Sequence, residues 1–104
     1  MENRWRGEVA VTVNGTPRVM RLPLGALAEL EDALGDAGLV PLIERFETGA
    51  LRASDLLALI HAGLRGGGWD VDLATVRAAT IEGGAIGAAR AAAQLLKATF
   101  SQEP

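Results

Sequence analysis

The chain has no cysteine and no tyrosine, a single histidine, and only four aromatic residues in 104: Trp5, Phe46, Trp69 and Phe100. Without cysteine there is no disulfide scaffold, thiolate zinc site, iron–sulfur cluster or cysteine nucleophile. With so few aromatic rings the core must be built from aliphatic side chains and alanine, which favours closely packed helices over an aromatic-rich β sandwich. No apolar run approaches the roughly 18 residues that span a bilayer. The opening Met1-Glu2-Asn3-Arg4-Trp5-Arg6-Gly7 has no apolar stretch of a secretory leader, so a soluble, unprocessed, cytoplasmic protein is expected. Basic residues are scattered and outnumbered, 10 against 13 acidic, for a net charge of −3. That balance gives little counterion release, so no nucleic acid partner is expected. The length supports one domain, residues 1–104, with one modest core.

Residues 7 to about 23 read as a β-hairpin. Val9, Val11 and Val13 alternate with Glu8, Ala10 and Thr12, the period of a half-buried strand. Asn14-Gly15 supplies two residues tolerant of positive φ, as a tight turn needs. A four-residue loop, Asn14 to Pro17, would set Val11 opposite Met20 and Val9 opposite Leu22 and keep Pro17 out of the ladder. A two-residue turn buries the same face, so both registers stay open.

A lone hairpin is marginal in water and must be covered. Leu24, Leu27, Leu30 and Leu34 fall near one face of a helix over 24–34, with Gly35 placed to end it. Leu39, Leu42, Ile43 and Phe46 give a short amphipathic helix over 39–47. Ser54 is the expected N-cap of a helix over 54–65, with Asp55 in its first turn and Leu56, Leu57, Ile60 and Leu64 as its stripe. Asp72 is placed to cap a helix over 72–79 carrying Leu73 and Val76. The last helix, 85–100, has Ile86, Ala89, Ala93, Leu96 and Phe100 as its expected buried stripe. Ala88, Ala91 and Ala92 allow close helix approach, and Arg90, Gln94 and Lys97 mark a solvated face. The predicted class is α+β, an N-terminal antiparallel β-hairpin packed on four to five mostly short α-helices.

Few residues suggest chemistry. Gly63-x-x-Gly66-Gly67-Gly68 resembles a phosphate loop in composition. However, it follows a helix instead of opening one and lacks Gly-Lys-Ser/Thr, so a flexible helix-to-loop break is the stronger reading. His61 has Leu57, Ala58, Leu64 and Arg65 as its helical neighbours, none an acid or nucleophile, and reads as a partly exposed helix histidine. The carboxylate pairs Glu29/Asp32 and Glu44/Glu47 supply too few oxygens for a cation and read as solvated surface. Asp70-Val71-Asp72 lacks the glycine and distal glutamate of a calcium loop. No catalytic residue, metal or cofactor is therefore assigned. Trp5 with neighbouring Arg6, and Trp69, are the candidate partner-binding residues, because tryptophan is enriched at interface hot spots. The competing account is that both indoles simply close over the hairpin or the helix ends. An exposed hairpin edge would offer a route to a homo-oligomer.

Five segments, in their order and spacing, resemble a known family. They are Asn3-Arg4-x-Arg6-Gly7-Glu8; Arg21-Leu22-x-Leu24-Gly25-Ala26-Leu27-Ala28-Glu29-Leu30-Glu31; Arg45-Phe46-x-x-Gly49; Asp55-Leu56 through Ala62-Gly63-Leu64-Arg65-Gly66-Gly67-Gly68; and Leu95-Leu96-x-x-x-Phe100. Nearly the whole chain is covered. The family is that of small proteins of phage-like gene transfer agents and related prophages, placed among the phage tail assembly chaperones. The resemblance implies a non-enzymatic protein of tail morphogenesis in a bacterial host. Its implied partners are the tape-measure protein, which such chaperones coat, and the tail tube subunits they recruit. The same group is also described as a tail tube protein, which would make the chain a component of the particle. A tube subunit needs a larger β sheet to close a ring than one hairpin provides, which favours the chaperone.

Overall fold

A computed structural model of the chain describes residues 7–100. Asn14 and Gly15 take positive φ, 51° and 81°, the backbone of a two-residue hairpin turn. They join β1 (Val9–Val13) to β2 (Thr16–Met20) in one antiparallel two-stranded sheet. Val9 faces Met20, Val11 faces Arg18 and Val13 faces Thr16, so the four-residue loop pairing Val11 with Met20 gives way to the shorter turn. The reason is local: Asn-Gly matches the strand twist without extra residues. Pro17 lies inside β2, opposite Thr12. In a two-residue hairpin the pair closing the turn is hydrogen-bonded and the next pair is not, so the N–H that Pro17 lacks is absent from the ladder's needs.

Helices cover the valine face. They are α1 (Leu24–Leu34), α2 (Leu39–Thr48), α3 (Ala53–Gly66), α4 (Leu73–Ala78) and α5 (Gly84–Phe100), with a short 3-10 turn, Gly35–Ala37, after α1. Thus an antiparallel hairpin is followed by five α-helices, an α+β fold. α3 is central, touching β2, α1, α4 and α5. The buried set of the described residues consists of Val, Leu, Ile, Met and Ala side chains around a single charged one, Asp55; Phe46 and Trp69 pack at its margin.

Three of the expected stripes are rotated. On α1, Leu24 is 84% exposed and Ala26 and Leu30 are buried, because the flank of α1 that meets α3 carries Ala26 and Leu30 and lies away from Leu24. On α3, Leu59 joins Ile60 and Leu64 in the buried set while Leu56 and Leu57 are half-buried. On α5, Ile86 is 73% exposed and Phe100 43% exposed, whereas Ala88, Ala91, Ala92, Leu95 and Leu96 are buried. The buried face of α5 is thus made largely of alanines, whose small side chains permit close approach to α3 and β1.

The glycine run after His61 ends the helix, as expected, and packs closely against β2. α3 continues through Gly66, and its C-terminal end lies on the outer edge of β2, where the Arg21 N–H donates to the Gly63 carbonyl at 2.9 Å. A Cβ on Gly66 would overlap the Arg21 carbonyl oxygen and one on Gly67 the Val19 carbonyl oxygen. Only a glycine Cα–H can face a carbonyl at that range. The outer edge of β1 is occupied as well. Val13 bridges Ile81, the Asn14 N–H donates to Thr80 O at 2.8 Å, and the Glu82 N–H donates to Thr12 O at 3.0 Å. Asn14 Oδ1 also accepts from the Thr80 N–H at 2.8 Å. Both edges are therefore engaged near the turn or the strand end, which leaves less of the hairpin for pairing with another chain.

Candidate functional site

Trp5 and Arg6 lie outside the described residues. Trp69 is half-buried against the core, with its backbone N–H donating to Leu64 O at 3.1 Å. The Arg18 guanidinium carbon sits 3.7 Å from the centroid of its indole. Arg18 is on the core-facing side of β2, opposite Val11, so its aliphatic stem covers apolar surface while its charge stacks on the ring. One face of the indole is thereby covered.

Asp55 was expected only as a first-turn charge, and Ser54 as the cap. Instead Arg52 is the N-cap residue, and its N–H donates to Asp55 Oδ2 at 2.9 Å. Arg45 of α2 reaches across with Nε to Oδ2 at 2.8 Å and an Nη to Oδ1 at 2.7 Å. Asp55 is 1% exposed, so this bidentate pair is a clamp between α2 and α3. The hydrogen bonds from Arg45 hold its carboxyl below the usual carboxylate range, against the opposing effect of burial. Sequence spacing could identify Asp55 as the third helical residue after Arg52, the capping-box position, but not its partner ten residues upstream in another helix.

Beside the clamp lie two grooves. The first runs between α1, α3 and α4 and encloses about 350 Å³. Leu30, Leu57, Ala58, Ala62 and Leu73 form its apolar surface, and Glu29, His61 and Arg77 stand among its polar lining residues. Its walls are fixed by specific bonds. Arg65 of α3 donates to Glu29 of α1 at 2.9 Å and to Asp70 at 2.7 Å, so Glu29 pairs with an arginine instead of joining Asp32 in a cation site. His61 donates from Nε2 to the Val71 carbonyl at 2.9 Å, which ties α3 to the start of α4. Asp72 caps α4, accepting from the Thr75 N–H at 2.7 Å. The Thr75 side chain, and then this backbone N–H, hold its carboxyl below the usual range.

The second groove, about 280 Å³, separates α2 from α5 and is lined by Ile43, Phe46, Glu47, Ala93, Leu96, Lys97 and Phe100. Glu44, the partner of Glu47 in sequence, is exposed on α2. Gly38 at φ 76° and Gly49 at φ 77° delimit α2, whose one buried residue is Leu42; the Arg45–Asp55 clamp sets its position relative to α3. Among the described residues no three His, Asp or Glu side chains gather as a metal site, and no helix is long and apolar enough to cross a membrane.

Both grooves thus combine an apolar surface with charged residues at the rim. Comparison with curated proteins and with solved structures gave no match. A family model described as phage tail tube protein, GTA-gp10, matches residues 6–102. That span takes in the hairpin and all five helices, and the chain belongs to this family of phage tail proteins.

Proposed function

We propose that the chain is a non-enzymatic tail assembly chaperone that holds a helical stretch of the tape-measure protein in the α1/α3/α4 groove and brings tail tube subunits to it. It acts in the cytoplasm of the bacterial host, before the particle is complete. The observation that carries this reading is the groove itself: an apolar floor of Leu30, Leu57, Ala62 and Leu73 between the charged residues Glu29 and Arg77. An amphipathic helix laid into such a groove buries its apolar stripe and leaves its charges to the rim. The family description also names a tube protein. A ring-forming tube subunit joins its sheet to its neighbours' sheets, whereas this hairpin has two strands with both outer edges engaged by its own chain.

Coexpression with the tape-measure protein tests the reading. A complex is expected by pull-down and size-exclusion chromatography, and Leu73→Glu, at a position 38% exposed in the groove, should abolish it while leaving the helical circular dichroism intact. Failure to form any complex, with both long and truncated tape-measure clients, would sink the chaperone reading.

A further inference from the structure

The outward faces of α2 and α5 carry matching patterns that the client groove does not use. On α5, Ile86, Arg90, Ala93, Lys97 and Phe100 are all exposed, and their spacing of four, three, four and three residues sets them on one face. On α2, Val40, Glu44 and Glu47 are exposed at spacings of four and three. Each face thus joins exposed apolar side chains, Val40 at 66%, Ile86 at 73% and Phe100 at 43%, to charges of a single sign. The α2 face is acidic and the α5 face basic. None of Glu44, Glu47, Arg90 and Lys97 forms an ion pair among the described residues, although Glu47 and Lys97 line the same groove.

We infer that this groove is a homodimer interface, in which α2 of each copy lies against α5 of the other. Charge selects the arrangement. A two-fold axis running along the groove sets each acidic α2 face on the partner's basic α5 face, and one operation satisfies both contacts. The two-fold that places α2 on α2 and α5 on α5 sets like charges together twice and is disfavoured. The half-buried Ile43 and Phe46 on one wall and the exposed Phe100 on the other provide the apolar centre, and the four charges provide register. Both faces belong to the same chain, so the complementary partner is a second copy.

Light scattering on the eluting full chain tests this. The wild type should run at twice its 10.8 kDa mass, with a dimer weakened by added salt. Two double variants, Glu44→Lys with Glu47→Lys and Arg90→Glu with Lys97→Glu, should each be folded monomers, with dimer dissociation constants raised at least about tenfold. Mixed together they should form a heterodimer, because both of its α2–α5 contacts are again opposite in sign; a variant that had merely misfolded would not be rescued by the other. A wild type that stays monomeric, variants that stay dimeric, a mixture that stays monomeric, or open assemblies larger than a dimer would each overturn the inference.

Discussion

The same glycine-to-alanine change should have opposite signs at two positions. Gly67 faces the Val19 carbonyl where a Cβ would overlap, whereas around Gly25 of α1 there is open space. Gly67→Ala is expected to destabilise by about 2 kcal/mol or more, because strand and helix backbone must separate. Gly25→Ala should stabilise by about 0.5 kcal/mol through lower unfolded-state entropy and better helix propensity. Urea unfolding of the two variants checks both. Asp55 gives a second residue-scale expectation: Asp55→Asn should cost about 3 kcal/mol, because it leaves the Arg45 guanidinium facing a neutral group at a buried site. Asn14-Gly15 and Asp72 were legible in the sequence because turn and cap act within three residues. Gly66, Gly67 and Asp55 were not, because their roles depend on Arg21, Val19 and Arg45, which only tertiary packing brings near.

At the scale of elements, periodicity located helices but not which flank of each stripe met the core. Leu24 and Ile86 are large and well spaced, yet they face solvent because Ala26 on α1 and Ala88, Ala91 and Ala92 on α5 allow closer approach. Closest approach is a property of two elements and is invisible in either alone. The α2–α3 clamp should make stability fall in acid. The Asp55 carboxyl is lowered by its Arg45 hydrogen bonds, so its contribution is fully present above the unfolded-state value, about 4, and is lost as pH falls through the lower folded value. Urea midpoints measured between neutral pH and pH 3 should drop below about pH 4 in the wild type and show a shallower drop in Asp55→Asn. The grooves themselves were not readable, since each is the space between helices distant in sequence, and Trp69, the described member of the expected contact residues, proves to be stacked beneath Arg18.

For the whole molecule, the scarcity of aromatics pointed to aliphatic helix packing, and among the described residues the buried side chains are aliphatic apart from Asp55. What composition could not show is that the small hairpin has its edges occupied by its own chain, at Ile81 on one side and Gly63 on the other. Under the proposed function, helix grooves in place of sheet edges are the surfaces through which the chain meets partners. In the proposed role the chain assists tail assembly without forming the tube, and its copy number in purified particles separates the two. Quantitative mass spectrometry should find the chain absent or far below the copy number of the major tail tube subunit. Stoichiometric incorporation, with one copy for each tube subunit or more, would rule out the chaperone role and make the chain a structural part of the tail.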